Sequence, residues 1–570
     1  MSWFFIYKGK DEKLKNEVHK YFAKYNYAEV YNAYVYFEGR DQTLTHCFNE
    51  SGINFIVSGL GILKKDEFKL ADVNEWKELV DSKKFVQELN GHFAGCIIQD
   101  GLITCFNDGL GLREVYYVKL DDGILVSSRA DLLSRFIENK TPAYDYIAGN
   151  WFTSVPLFYK TFTEQIKRLG PGGILEVHQL NEPQVTNRKF TAHESNIEIV
   201  RELLNKFSRF PLSTHKLSLG LSGGLDSRIL LALLSGSGQK NWRVHTFGSG
   251  GMKDVLIAEE IAARLNLRHI VFNRTHFNIN EILEWINKFL PFTGLTIPIS
   301  DFLHLYYHKL IDDYGYMIID GAFGEIGRRQ YLNRFRVNGA EVIKGKDTAA
   351  LLDNMRMQKA DIFDDSVKDE MLKALRESTE IVWKEMDGVS TKDAYYWIDK
   401  LMVRYKPSNV FNYGQHCLDQ MITAYMPFAQ EELLENILRL PLKVKRNGRF
   451  FRSIIKEENP ELTKISLVKD HIAYPYSLGT VTSYAWRKMK YKLSKITRVD
   501  PVKYYMFDEL KEYIYDELNS RQAKESNFID RNKILHAADS YYKGDKTYLN
   551  DLDWWLTFHE WYKINFSNNY

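Results

Sequence analysis

The fold of the C-terminal half is decided by one stretch, Ser218-Leu219-Gly220-Leu221-Ser222-Gly223-Gly224-Leu225-Asp226-Ser227. An apolar run at 216–221 predicts a strand, and the run 228–234 predicts a helix. Between them, glycines without a Cβ let backbone N–H groups turn inward. Together with the start of the helix, these N–H groups favour an anion. The stretch therefore predicts a phosphate-binding loop.

The polar side chains of this loop indicate how the anion is held. Ser222 and Ser227 supply hydroxyl donors. Asp226 cannot bind phosphate directly because like charges repel, so we expect it to hold a Mg²⁺ ion that bridges the phosphates. The loop lacks the Gly-Lys-Ser/Thr of a Walker A loop and the Gly-x-Gly-x-x-Gly of a dinucleotide-binding loop. A glycine-rich turn without a ligand is the alternative.

Strands and helices alternate around the loop. Further strands are predicted at 243–247, 269–272 and 316–319, and a helix at 254–265. Such alternation favours a parallel, doubly wound sheet. Residues 340–460 have a mostly helical pattern. We therefore predict an α/β domain with helical additions over residues 195–570.

The first 180 residues have a different, hairpin-rich pattern. The apolar runs 93–99 and 102–106 flank Asp100-Gly101, which is a strong signal for a two-residue hairpin turn. Apolar periodicity at 16–25 predicts a helix. These features predict an α+β domain over residues 1–180, and the polar segment 179–194 predicts the domain boundary.

Composition excludes several classes of protein. Lys plus Arg number 76 and Asp plus Glu 74, so the net charge of +2 gives no electrostatic footprint for nucleic acid or an acidic membrane. The four cysteines have no CxxC spacing, which argues against a disulfide framework and a structural zinc site. Neither a signal peptide nor an apolar run of about 18 residues is present, so we expect a soluble, cytoplasmic protein.

The stretch 218–227 resembles the pyrophosphate-binding loop of the PP-loop ATP pyrophosphatases, which split ATP between the α- and β-phosphates and adenylate a substrate. Segments 89–94, 107–117 and 166–172, and the strand and helix at 246–258, extend the likeness. Together they resemble asparagine synthetase, β-lactam synthetase, carbapenam synthetase and lasso-peptide cyclase. The resemblance implies a degenerate, Ntn-hydrolase-like class II glutamine amidotransferase domain, followed by an adenine nucleotide α-hydrolase-like PP-loop domain.

The resemblance also implies ATP and Mg²⁺ as cofactors. Segment 320–325 aligns with the family's "SGEGADE" segment and puts Glu325 at its metal-binding aspartate, with Asp320 as an alternative ligand. Asp226 and Glu325 are thus the implied magnesium ligands. The implied nucleotide-binding residues are Leu219, Ser222, Gly223, Gly224, Asp226, Ser227, Phe247 and Gly321.

A catalytic lysine is implied by the segment 466–479. It resembles the family loop that brings a lysine to the α-phosphate, where the ammonium would stabilise negative charge in the adenylation and amide-forming transition states. Lys469 is the candidate and Lys464 its nearest competitor. A solvated surface lysine is the alternative for Lys469.

Several positions depart from the family pattern. Ser2 stands where full asparagine synthetases carry a cysteine nucleophile, and a hydroxyl is far weaker near neutral pH, so we predict no glutaminase activity. Ala322 replaces a glutamate that helps to deprotonate or orient the nucleophile. Thr423 and Tyr425 replace a glutamate and an arginine on the acceptor side. Arg328-Arg329 could meet an anionic substrate or form solvated salt bridges.

The sequence thus predicts an ATP-dependent, amide-bond-forming ligase. It would activate a carboxylate as an acyl-adenylate, release pyrophosphate and let an amine displace AMP. Its partners would be a small-molecule or peptide carboxylate and an amine, with no nucleic acid and no membrane; a homodimer stays open. The alternatives are asparagine synthase proper using aspartate with ammonia or glutamine, a nucleotide-binding scaffold without catalysis, and a precursor-peptide binding protein. The C-terminal segment 552–561 predicts an amphipathic packing helix.

Overall fold

Two antiparallel sheets form the first part of the computed structural model, which describes residues 2–49, 53–64, 67–82, 89–178, 182–187, 195–274, 276–328, 335–390, 393–493 and 501–566. The first sheet has the strand order Lys167–Arg168, Tyr116–Leu120, Gly123–Ser127, Trp3–Gly9, Ala33–Glu38, Asn26–Val30. The second has the order Gln184–Asn187, Gly173–His178, Leu102–Asn107, Leu89–Gln99, Asn54–Lys64, Leu44–Cys47, and Phe68–Leu70 also pairs with Asn54–Lys64.

The two sheets pack face to face. Ile6 from the first sheet and Ile56 from the second lie in one buried apolar cluster. Helix Glu12–Phe22 covers the outer face of the first sheet through Val18, and helix Val73–Ser82 covers the outer face of the second. The predicted α+β architecture is confirmed as four layers: helix, sheet, sheet and helix.

The hairpin predicted at Asp100-Gly101 is confirmed. Strands Leu89–Gln99 and Leu102–Asn107 pair antiparallel, and the two turn residues have φ values of 51° and 77°. Positive φ at both positions is what a two-residue turn needs to match the twist of its strands. The domain boundary was predicted within the segment 179–194, and strand Gln184–Asn187 lies in that segment, so the second sheet continues past residue 180. All four residues of that strand are exposed, because backbone pairing needs no apolar side chain.

The third sheet is parallel throughout, in the order His269–Phe272, Trp242–Phe247, Lys216–Gly220, Tyr316–Ile319, Ala424–Tyr425. The strands predicted within residues 216–319 are confirmed. The two-residue strand Ala424–Tyr425 was missed, because so short a run has no periodicity. Strand Lys216–Gly220 is the central strand. The next two strands along the chain lie on one side of it and the following two on the other side, so the strand order reverses between Lys216–Gly220 and Tyr316–Ile319.

Helices make up most of the remaining described chain. The α-helices of the first part that are not yet named are Ala130–Ser134 and Tyr144–Phe152. Those of the second part are Ile197–Arg209, Leu225–Ser235, Lys253–Arg264, Ile279–Thr293, Leu305–Asp313, Glu325–Arg328, Phe335–Gly345, Thr348–Met355, Asp365–Thr379, Ile381–Glu385, Ala394–Lys406, Asn412–Asp419, Glu431–Arg439, Leu442–Lys445, Arg449–Glu458, Thr480–Leu493, Pro501–Glu509, Lys511–Asn519, Arg521–Glu525, Arg531–Tyr542 and Leu549–Phe566. Short 3₁₀ helices are Phe210–Ser213, Ile299–His304, Arg446–Gly448, Pro460–Lys464 and Lys546–Tyr548, and Pro407–Phe411 is a π-helix.

The C-terminal helix Leu549–Phe566 joins the two parts of the chain. Residues 552–561 are all buried, so the amphipathic pattern predicted there is wrong: protein surrounds this segment on every side. Trp554 and Trp555 share one apolar core with Trp151 of the first part. No helix among the described residues is both long and apolar enough to cross a bilayer.

Candidate active site

Two loops face each other where the order of the parallel sheet reverses. The glycine loop, residues 221–224, follows strand Lys216–Gly220 and leads into helix Leu225–Ser235. The second loop, residues 320–324, follows the neighbouring strand Tyr316–Ile319. Open α/β sheets bind ligands in the crevice outside the carboxyl ends of the strands at such a reversal. The topology therefore marks this crevice as the candidate site.

The glycine loop is folded around its own polar groups. The hydroxyl oxygens of Ser222 and Ser227 lie 3.0 Å apart, and the Gly224 N–H donates to the Ser222 Oγ at 3.2 Å. The Gly223 N–H donates to the Asp254 carboxylate at 3.0 Å. The turn therefore gathers the hydroxyls and the amides that a phosphate group would use.

Two glycines of the second loop allow it to touch the start of the helix. A Cβ on Gly321 would lie 2.8 Å from the Asp226 carbonyl carbon, and a Cβ on Gly324 would lie 2.6 Å from the Asp226 Cγ. Any side chain at either position would push the loops apart. Gly321 thus lets the second loop approach Asp226 closely, and it has no side chain that could contact a ligand.

The second loop also carries local backbone strain. Phe323 has a φ of 71°, a left-handed conformation that is rare for a bulky residue, and its buried ring packs on Phe411 of the π-helix at a centroid distance of 5.2 Å. Strained residues and π-helical turns both cluster at functional sites. The neighbouring Asp320 accepts the Ala322 N–H at 2.7 Å, and burial raises the pKa of Asp320 to about 6.

Each implied metal ligand forms an ion pair in this structure. Asp226 Oδ2 accepts a hydrogen bond from Arg328, and burial raises the Asp226 pKa although Arg328 opposes it. Glu325 Oε1 accepts from the Lys406 ammonium at 2.6 Å. Burial would raise the Glu325 pKa, but the charge and hydrogen bond of Lys406 outweigh it and hold the pKa below its usual value.

The carboxylates fit a magnesium ion in their chemistry. Hard cations prefer carboxylate oxygens. Asp226 Oδ1 is buried and has no hydrogen-bond partner, so one oxygen at the crevice lacks the ligand that burial normally demands. Glu325 and Arg328 begin and end one four-residue helix, and Arg328 donates to Asp226, so the two carboxylates belong to one cluster of charges.

A hairpin, Leu467–Lys469 with Ile472–Tyr474, adjoins the glycine loop. The Val468 N–H donates to the Gly223 carbonyl at 2.8 Å, and a Cβ on Gly223 would lie 2.3 Å from the Val468 Cγ2. Lys469 ends the first strand of this lysine hairpin. Its pKa is lowered because protein partly displaces water around the ammonium and because Arg328 and Arg487 add positive charge. Lys464, 60% exposed, pairs with Glu461 at 2.5 Å on the surface.

Arg228 joins the helix of the glycine loop to the segment before the hairpin. Its guanidinium, which is fully buried, donates to the carbonyls of Leu462 at 3.1 Å, Ile465 at 2.7 Å and Ser466 at 2.8 Å. Burial lowers its pKa to about 10. Sequence reasoning missed Arg228; the available signal was a lone charge at the start of an otherwise apolar helix, 228–234.

The glycine loop thus touches the lysine hairpin, and the second loop touches the helix that follows the glycine loop. Residues 200–458 match the asparagine synthase family. The matched region contains both loops and ends before the lysine hairpin. A sequence search of curated proteins found no match.

Three solved structures illustrate how distant the structural likenesses of the chain are. The glutamine phosphoribosylpyrophosphate amidotransferase from B. subtilis is 9% identical, with 48% of this chain and 91% of that chain covered and a TM-score of 0.23. The NH3-dependent NAD synthetase from Campylobacter jejuni is 14% identical, with 33% and 96% covered and a TM-score of 0.19. The NMN synthetase from Francisella tularensis is 18% identical, with 36% and 87% covered and a TM-score of 0.19. Likeness of this degree says nothing of substrate or activity.

The other implied nucleotide-binding residues, Leu219 and Phe247, have different surroundings. Leu219 is fully buried in the core under the parallel sheet, so only its main chain could meet a ligand. Phe247 ends the strand beside Lys216–Gly220, and its ring stacks on Tyr307 at 5.3 Å. It therefore lies at the correct edge of the sheet.

The departures at Thr423 and Tyr425 do not mark an acceptor site. Tyr425 is buried, and its hydroxyl donates to the Phe207 carbonyl at 2.7 Å. Thr423 precedes strand Ala424–Tyr425 and so lies at the amino ends of the parallel strands, whereas the crevice lies at their carboxyl ends. Tyr425 therefore serves the core, and Thr423 lies at the end of the sheet away from the crevice. Arg329 lies outside the described residues.

Ser2 lies far from this crevice in a buried hydrogen-bond network. Its side chain is 2% exposed, its Oγ lies 2.5 Å from the Thr43 Oγ1, and it accepts the Arg40 N–H at 3.2 Å. A glutamine side chain would have to displace these partners to reach the hydroxyl. The absence of glutaminase activity stays a prediction.

The family-like segments 107–117 and 166–172 of the first part serve as an anchor. Arg168 donates to Glu114 at 2.6 Å and to the Asn409 Oδ1 at 2.6 Å. Asn409 belongs to the π-helix that directly follows Lys406. The first part of the chain therefore holds the segment from which Lys406 reaches Glu325. Sequence reasoning missed Lys406, since nothing local distinguishes it from other helical lysines.

Proposed function

We propose that this protein is an ATP-dependent ligase that activates a carboxylate as an acyl-adenylate and passes the acyl group to an amine. The observation that carries the proposal is the meeting of the glycine loop, the acidic second loop and the lysine hairpin at the reversal of the parallel sheet. The match of residues 200–458 to the asparagine synthase family supports the same chemistry.

In the proposed reaction the chain mainly positions and neutralises charge. The Ser222 and Ser227 hydroxyls and the loop amides would hold the phosphates of ATP. Asp226 and Glu325 would hold the Mg²⁺ that accompanies ATP and offsets its charge. The substrate carboxylate attacks the α-phosphorus, pyrophosphate leaves, and the amine then displaces AMP. Lys469 would stabilise negative charge in both steps.

The decisive experiment is the substrate-dependent exchange of labelled pyrophosphate into ATP, screened with aspartate, other amino acids and candidate peptides. We expect exchange with one class of carboxylate and none with Asp226→Ala. Exchange with aspartate alone would favour asparagine synthase proper. ATP binding without exchange for any carboxylate would favour the nucleotide-binding scaffold, and absence of ATP binding would refute the proposal.

A further inference from the structure

Four of the charged side chains at the crevice form two ion pairs. Arg328 donates to Asp226, and Lys406 donates to Glu325 at 2.6 Å. The pairs are near each other, because Glu325 and Arg328 begin and end the same four-residue helix. Both cations therefore lie next to the carboxylates that the resemblance assigns to magnesium.

Arg328 and Lys406 each bind a carboxylate that a metal ion would need as a ligand. Asp226 keeps Oδ1 buried and unpartnered while Oδ2 is held by Arg328. The Nε of Arg328 is likewise buried without a hydrogen-bond partner. Buried polar atoms are rarely left unsatisfied in a resting arrangement. Arg328 and Asp226 form one ion pair, and each keeps a buried polar atom without a hydrogen-bond partner. Such a pair is suited to exchange partners.

We propose that Arg328 and Lys406 form the binding site for the substrate carboxylate, and that they become available when magnesium–ATP takes Asp226 and Glu325. A divalent ion outcompetes a single ammonium or guanidinium charge for carboxylates once the nucleotide phosphates share it. Arg328 presents a planar fork that suits a carboxylate, and Lys406 supplies a second, point-like charge. The inference rests on the proposed function and adds an order: nucleotide first, carboxylate second.

The exchange frees both cations only when nucleotide is bound. Without nucleotide, Asp226 and Glu325 occupy Arg328 and Lys406 and compete with a substrate carboxylate. The site would thus select an anionic substrate only when nucleotide is present.

The first test is the binding of Mn²⁺ alone, measured by electron paramagnetic resonance. Arg328→Met and Lys406→Met should each bind Mn²⁺ at least about tenfold more tightly than the wild-type protein, because the competing cation is gone. Lys464→Met, which removes a surface charge, should leave the affinity unchanged. Arg328→Lys, which keeps the charge, should resemble wild type and shows that folding is intact. Unchanged or weaker Mn²⁺ binding in either methionine variant would overturn the exchange.

The second test uses ¹³C-labelled acetate as the carboxylate probe, followed by line broadening. With Mg²⁺ and α,β-methylene-ATP present, acetate should bind the wild-type protein at least fivefold more tightly than without nucleotide. Either methionine variant should abolish this gain. Acetate binding that ignores nucleotide would refute the assigned order. If the wild-type protein fails to bind Mn²⁺ with α,β-methylene-ATP at all, the proposed function itself fails.

Discussion

Lys469 and Lys464 show how burial and neighbours separate two similar residues. Lys469 lies in the segment that resembles the family's lysine loop, and Lys464 stands five positions before it, just outside that segment. Lys464 pairs with Glu461 on the surface, whereas Lys469 ends a strand that is bonded to the glycine loop. Only Lys469 shares an electrostatic environment with Asp226.

Replacing Lys469 by methionine should therefore affect chemistry rather than binding. Because the ammonium would act on charge that develops in the transition state, we expect the rate of pyrophosphate exchange to fall by about 10² or more with ATP affinity within a few-fold. Exchange kinetics and equilibrium ATP binding measure the two effects. Lys464→Met is the matched control and should retain wild-type rates. Equal losses in both variants would contradict the assignment.

At the scale of elements, the glycine loop and the lysine hairpin are in direct contact. The absence of a side chain at Gly223 lets the Val468 N–H reach the loop carbonyl. Arg228 holds the preceding segment through three carbonyl groups. The hairpin is thus positioned by the same helix that carries Asp226.

Gly223→Ala should displace the hairpin, because its Cβ would lie 2.3 Å from the Val468 Cγ2 and 2.5 Å from the Val468 Cβ. We expect exchange to fall at least about tenfold, as misplacement of catalytic groups by about 1 Å commonly costs more. The double variant Gly223→Ala/Val468→Gly lacks both clashing atoms and should recover part of the rate. No recovery would mean that Gly223 serves the phosphates instead.

We expect the stability of the protein to depend on pH through Asp553 of the C-terminal helix. Burial raises the pKa of Asp553 to about 6, and its carboxylate accepts hydrogen bonds from Ser300. Between about pH 4 and pH 6 the folded protein keeps a proton that the unfolded chain has lost, so the free energy of unfolding falls as pH rises through this window.

Asp553→Asn should remove that fall, which amounts to roughly 3 kcal/mol. The variant should therefore gain stability relative to wild type as pH rises from 4 to 6, and the difference should be constant above about pH 7. Urea unfolding at a series of pH values measures it. Asp516→Asn, at an exposed position of helix Lys511–Asn519, is the control. A difference independent of pH would show that Asp553 titrates normally.

At the scale of the whole molecule, the first part of the chain acts as a scaffold for the second part, which contains the crevice. Arg168 and Glu114 form a buried ion pair, with side chains that are 2% and 0% exposed. The same guanidinium donates to Asn409 and to the Ser408 carbonyl of the π-helix next to Lys406. The segments 107–117 and 166–172, which resemble the family, thus anchor the first part of the chain to this π-helix.

Arg168→Met should destabilise the protein by about 3–5 kcal/mol, because it leaves the buried Glu114 without its cation. Adding Glu114→Gln should restore part of this loss, since no uncompensated charge remains. Denaturant unfolding compares the single and double variants. If the single variant is as stable as the double variant, the buried Glu114 does not depend on Arg168 for its charge compensation.

The sequence by itself determined the features that depend on local conformation. Glycines between an apolar strand and a helix marked the loop at 218–227, and the pair Asp100-Gly101 between two apolar runs marked a hairpin turn. Strand and helix alternation predicted the parallel sheet, because periodicity is a short-range property. The resemblance added Glu325 and Lys469, whose roles remain proposals.

Only the tertiary structure decided which charges meet. Arg328 and Asp226 are 102 positions apart, and Lys406 and Glu325 are 81 apart, so no local pattern links them. The burial of segment 552–561 on all sides also depends on partners from the first part of the chain. Ion pairing and burial are set by distance in space, which the order of strands and helices fixes only once the whole chain has folded.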